Sequence, residues 1–97
     1  MTTTATLAAP AVDRLHAVAI SRNGKVHSCH QGGSHYQLRM SLTGTDTKHL
    51  GDVEGFITKA GIFITRREAV AVGVRAGQLH EHWFDSFRDL LSSDVNW

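Results

Sequence analysis

Between residues 15 and 29 two short runs containing β-branched residues flank a turn signal. Further along the chain apolar positions recur at helical intervals. Leu15–Arg22 and Lys25–Cys29 flank Asn23-Gly24. A type I′ turn needs positive φ at both central residues, so Asn-Gly between two β-branched runs predicts a hairpin. A two-residue loop pairs Arg22 with Lys25, Ile20 with His27 and Val18 with Cys29. Val18, Ile20, His27 and Cys29 then share one face, and Ala17, Ala19, Val26 and Ser28 the other. Neither face is strongly polar, so cover is expected on both. Gly32-Gly33 breaks the strand, Ser34 is placed to cap a helix, and Leu38 and Leu42 lie four apart before Gly44. A helix over residues 35–43 follows, then a polar loop, Thr45–Glu54.

A second hairpin is predicted from Phe56-Ile57-Thr58, a Lys59-Ala60-Gly61 turn and Ile62-Phe63-Ile64. Thr65 and Glu68 have capping-box spacing. Ala69, Val72, Gly73 and Ala76 then fall on one helical face, and Gly77 supplies the stop. In "LHEHWFDSFRDLL" the spacing of Trp83, Phe84, Phe87, Leu90 and Leu91 predicts a last helix over residues 80–91. The order is β-hairpin, helix, β-hairpin, helix, helix. The fold class is therefore α+β, an antiparallel sheet with helices packed on one side.

The chain has 97 residues, 41% hydrophobic and 20% charged. That is one ordinary domain, set at residues 14–97, behind a Thr- and Ala-rich tail at 1–13. The net charge of +1 is too small for bulk electrostatic attraction to nucleic acid or anionic membrane, so neither is expected as a partner. No apolar run reaches ~18–20 residues, the length of a membrane span. Cys29 is the single cysteine, which excludes an intrachain disulfide and fits a reducing, cytoplasmic compartment.

The seven histidines include His27-x-x-His30 and His80-x-His82, both with zinc-ligand spacing. No Cys pair, HExxH or acidic cluster accompanies them, so no metal and no other cofactor is expected. Cys29 has no base beside it in sequence and reads as a small buried hydrophobe. Arg66-Arg67 opens a helix, where the dipole disfavours cations. Glu68 offsets them, or a bound anion does, with Arg39 and Arg75 free to join. The aromatic residues near the C-terminal end exceed what one short helix needs, which suggests core or a homo-oligomer interface.

"EGFITKAGIFITRREAVAVGVRAGQL" resembles the "GF(V/L)TS.GRFV.R.EA..IA..AGQ(I/L)" block of small phage-encoded proteins. "GGSHYQLRMSL" and "LLSSDVNW" resemble their flanks, so the similarity spans residues 17–97. Functionally placed proteins of this kind are anti-defence sponges, above all the Thoeris anti-defence proteins of the first type. These bind cyclic ADP-ribose-type signals, and some bind cyclic oligonucleotides, without cleaving them. Ile62 departs from the pattern, which has Arg between Gly and Phe.

The resemblance implies a non-enzymatic protein in the cytoplasm of an infected bacterial host. It would sequester a cyclic nucleotide or cyclic ADP-ribose-type messenger, with no catalytic residue. Arg66, Arg67, Arg39 and His35 are the expected phosphate ligands. Phe56 or Tyr36 would stack on a base, and Gln78 or Thr58 would meet polar edges. Two alternatives stand beside it: a protein-binding inhibitor of a host defence complex, anti-CRISPR-like, and a histidine-based cyclic-nucleotide hydrolase.

Overall fold

The computed structural model describes residues 13–44 and 51–97. The expected tail and most of the polar loop, residues 1–12 and 45–50, lie outside the described residues. Four strands form one antiparallel sheet in the order β2-β1-β3-β4: β1 Leu15–Arg22, β2 Lys25–Ser28, β3 Val53–Thr58 and β4 Phe63–Thr65. Helix α1, His35–Thr43, links the two hairpins, and α2, Arg66–Arg75, follows the second. The α+β class and the element order predicted from the sequence are present up to α2.

Local chemistry sets the boundaries. Asn23 and Gly24 both take positive φ, and Arg22 faces Lys25 as a type I′ hairpin requires. Ile20 faces His27, but β2 ends at Ser28, so Cys29 lies just beyond the ladder. Ser34 and Gln37 form a capping box on α1, and Thr65 and Glu68 form one on α2. Gly44 in the left-handed conformation ends α1. Strand β3 begins at Val53, inside the stretch expected to be loop, because Val53 and Glu54 pair with Ser21 and Ile20.

A bulge at His16 decides which residues enter the core. Leu15 pairs with Thr58 and Ala17 with Ile57, so two steps along β1 match one along β3. Without that extra residue Leu15 would share the face of Ala17 and Ala19. With it, Leu15 joins Val18, Ile20, Glu54 and Phe56 on the face that the helices cover. Phe56 is completely buried at the centre, packed with Leu38 of α1, Ala69 of α2 and residues of the C-terminal segment.

The predicted helix over residues 80–91 is not formed. Glu81–Asp85 makes a short 3-10 helix, the chain then runs without helix or strand and bends at Arg88, and Ser92–Asp94 makes a second. The Ser86 hydroxyl accepts from the Arg88 amide, a local bond that competes with helical pairing. A free helix of this length is marginal in any case. Trp83, Leu90 and Val95 nevertheless reach the core, so the apolar spacing is used without the helix.

Gln78 and Trp97 close the far end of the core. The Gln78 carboxamide accepts from Leu15 N at 2.8 Å and donates to Leu15 O at 2.9 Å, acting as a side-chain strand partner. Its main-chain oxygen accepts from Asn96 N at 3.0 Å. Trp97 lies against Phe56 at 6.2 Å between ring centroids, and its main-chain oxygen accepts from Arg14.

Gly55 marks a close approach between strands. A Cβ there would lie 2.1 Å from the Ile64 carbonyl oxygen and 3.0 Å from the Phe63 ring. Because the obstacle is backbone, relief requires β3 and β4 to separate. Gly55→Ala is expected to destabilise the fold by about 1–3 kcal/mol, read as a lower urea midpoint with an unchanged slope.

Candidate functional site

The second strand pair and both helices bring charge together at Glu54. The strand faces alternate, so Glu54 lies on the same side as Phe56 and Thr58, under the helices. Arg39 of α1 donates to Glu54 Oε2 at 2.6 Å, and Arg66 of α2 donates to Oε1 at 2.7 Å. The Glu54 side chain is only 7% exposed, and the two arginine side chains 17% and 19%. Arg66 also donates to the Leu90 carbonyl, which is available because the segment after Asp85 is not helical. One side chain therefore ties α2 to the sheet and to the C-terminal segment.

His35, the first residue of α1, is buried beside this cluster. Its Nε2 lies 2.7 Å from the Gly55 carbonyl and must donate the proton, since a carbonyl only accepts. Its ring meets Phe56 edge-on at 5.5 Å. Burial lowers the His35 pKa, the Arg66 charge lowers it further, and the Gly55 bond offsets only part of this. Burial pushes the Glu54 carboxyl upward, but the hydrogen bonds from Arg66 and Arg39 together outweigh it and leave the group below its ordinary value.

The expected ligand residues thus divide. Arg39 and Arg66 do converge, but on an internal carboxylate, and His35 is no phosphate ligand here: it is buried beside them with its Nε2 donating to the Gly55 carbonyl. Arg67 is exposed and forms no ion pair among the described residues. Tyr36 is exposed on α1. Three further expectations need correction, because the fold buries these side chains too. Phe56 has no surface to stack on a guest, being wholly enclosed. Gln78 spends its carboxamide on Leu15. Thr58 is buried, accepts from Ile62 N at 3.2 Å, and is the principal hydrogen-bond partner lowering the Asp13 pKa.

A cleft of about 240 Å³ opens beside Arg66 between the start of α2 and the C-terminal segment. Arg66, Arg67 and Val70 form one wall, and Trp83, Phe84, Phe87, Arg88 and Asp89 line the other. The Arg88 guanidinium lies 4.7 Å from the centre of the Trp83 ring, a cation–π contact. Its pairing with Asp94 is loose, at 3.3 Å with 60% of the arginine side chain exposed. Phe87 is 99% exposed at the rim. Three guanidiniums and exposed aromatic rings suit an anion that carries a flat group.

Sequence reasoning found Arg66 and Arg67 but missed Arg88 and Glu54. The signal for Glu54 was available: an acidic residue two before Phe56 on the core-facing side of a strand needs a cationic partner. Arg88 gave no comparable signal, because its position depends on the irregular turn after Asp85. Among the described residues, no group of three or more His, Cys, Asp or Glu side chains is placed to hold a metal ion. No helix among them is long and apolar enough to cross a membrane.

Residues 7–96 match the family described as phage T4 y16D protein, and the chain belongs to that family of small phage proteins. No curated protein and no solved structure matches it.

Two of the buried ionisable groups, His35 and Glu54, make stability fall on acidification. His35 has a lowered folded pKa, so its contribution is complete above the ordinary imidazole value of ~6.5 and declines below it, where the unfolded chain takes up the proton more readily. Glu54 acts later: its contribution is complete above ~4.3 and is lost as pH falls through its lower folded value. The urea midpoint is expected to drop between pH 7 and 5, with that first step absent in His35→Gln. Glu54→Gln leaves two guanidiniums without their carboxylate. It is expected to cost about 2–3 kcal/mol at pH 7, less than the ~3–5 kcal/mol of a fully buried pair, by the same unfolding measurement.

Proposed function

We propose that this chain is a non-enzymatic phage anti-defence protein. It captures a cyclic nucleotide or cyclic ADP-ribose-type immune messenger and withholds it, unaltered, from the host effector. The observation that carries this reading is the cleft that Arg66, Arg67 and Arg88 line together with Phe84 and Phe87. Arg67 and Arg88 supply charge-assisted bonds to phosphate, and Arg66 adds positive field while held by Glu54. Phe84 and Phe87 offer ring faces to a base, and Asp89 an acceptor for a base or ribose donor. The reading gives the cleft no catalytic residue.

The cleft is slightly smaller than the ~300–1,000 Å³ of common small-molecule sites. A second copy approaching the exposed Phe84 and Phe87 deepens it, so the proposal includes a homo-oligomer. Membership of a phage family is the context in which capture of a host signal is useful. A second reading rests on Phe84, Phe87 and Leu91, all exposed on the C-terminal segment. Such a patch also suits a protein-binding inhibitor of a host defence complex.

Calorimetric titration with a panel of cyclic nucleotides and cyclic ADP-ribose isomers separates these readings. Capture predicts saturable binding that weakens with added salt. Losing one charged hydrogen-bond donor costs ~1.5–3 kcal/mol, so Arg67→Ala and Arg88→Ala should each reduce affinity about 10–100-fold. The messenger released by heat-denaturing the loaded protein should be chemically unchanged; a cleaved product would make the protein an enzyme. Silence across the panel, with stable capture of a host defence protein, would instead establish the inhibitor.

A further inference from the structure

The 3-10 turn beside the arginine cleft carries a second constellation. His80 caps the turn, and its Nδ1 accepts from the His82 main-chain N–H at 3.1 Å. The Nδ1 atoms of the two rings are 2.9 Å apart, and the ring centroids 4.8 Å. Both imidazoles are exposed, and the open hollow around them is lined also by Glu81, Asp85 and Phe84. The His82 ring stacks on Trp83 at 6.0 Å, which limits its rotation.

We propose that His80 and His82 form a two-imidazole chelate for a divalent late transition ion, copper(II) or nickel(II), bound through the two Nδ1 atoms. Metal–imidazole bonds are ~2.0–2.1 Å long. Two of them at the right angle of a tetragonal site place their nitrogens ~2.9 Å apart, whereas a tetrahedral site needs ~3.3 Å. The observed spacing is set in this structure by the hydrogen bond between the rings, and it lies nearer the copper(II) or nickel(II) value than the zinc one, so rotation of the two side chains brings both Nδ1 atoms onto one ion. Glu81 and Asp85 add a negative field at the hollow, and water fills the remaining coordination positions.

Proton bookkeeping is consistent with this. His80 Nδ1 already accepts a main-chain N–H, so its proton is on Nε2, and His82 Nδ1–H is the donor between the rings. When the ion binds, His82 moves its proton to Nε2 and His80 Nδ1 exchanges the His82 main-chain N–H for the metal, so both Nδ1 lone pairs face the ion and no net proton is released. The consequence reaches the neighbouring cleft, because Phe84 lines both hollows. A bound ion fixes the turn that presents Phe84. The chelate does not depend on what the arginine cleft binds.

The test is titration of the full chain with copper(II), nickel(II) and zinc(II) chlorides. Calorimetry gives stoichiometry, and NMR of nitrogen-15-labelled imidazoles on the zinc sample gives the coordinating atom. Saturable binding of one ion per chain is expected, tightest for copper, with both Nδ1 signals shifted. His80→Asn retains a side-chain oxygen to cap the turn, and His82→Asn leaves that cap's backbone donor in place. Each should abolish saturable binding while circular dichroism stays unchanged, and His27→Asn should bind as the parent does. Binding that survives either substitution, that needs Cys29, or that shifts Nε2 instead would overturn the proposal, as would the absence of saturation.

Discussion

One carboxylate holds this small fold in register. Glu54 stands on the helix-facing side of β3, and a lone charge there would be costly, since removing an ion from water takes several kcal/mol. Arg39 from α1 and Arg66 from α2 both meet it, one at each oxygen. The two helices, which arise in separate parts of the chain, are thereby fixed against the same point of the sheet. The arrangement also resolves the awkward position of Arg66 at the positive end of a helix dipole. Its charge is balanced from outside the helix, by Glu54 and the Leu90 carbonyl.

That commitment separates structural cations from available ones. Arg66 is held, whereas Arg67 is exposed and Arg88 rests on Trp83 with only a loose acidic partner. The cleft lies where the regular α2 meets a segment without regular secondary structure. The helix supplies rigidity to one wall, and the irregular segment supplies aromatic side chains to the other. The same segment carries the His80–His82 pair. The aromatic wall of the cleft and the two neighbouring histidines thus lie in one stretch after α2, in a chain that belongs to a phage protein family.

What could be read from the sequence was set by neighbours a few residues apart. Asn23-Gly24, the Ser34 and Thr65 caps and the Gly44 stop are short-range devices, and each acts where expected. The unread parts depend on distant partners. The bulge at His16 exists because of how β1 meets β3, and nothing within β1 announces it. Gln78 looked like a polar group for a ligand, yet its partner is Leu15, 63 positions away. The run from His80 to Leu91 has helical spacing, but the Ser86–Arg88 turn and the Arg66 bond to Leu90 hold it open. Candidate ligand residues were legible as charge on helix openings. Which of them face inward was not, because that is decided by Glu54.

The packing of Trp97 on Phe56 sets an order of events in folding. Phe56 is the middle of the core, and Arg14, just before β1, reaches across 83 positions to the Trp97 main chain. Both hairpins and their connecting helix can assemble from nearby partners as they emerge from the ribosome. The face of the sheet they create stays unsealed until residues 92–97 have been synthesised and dock. Such distant closure is slow relative to hairpin formation, so until the C-terminal segment docks, the central phenylalanine has only the cover that α1 and α2 give it.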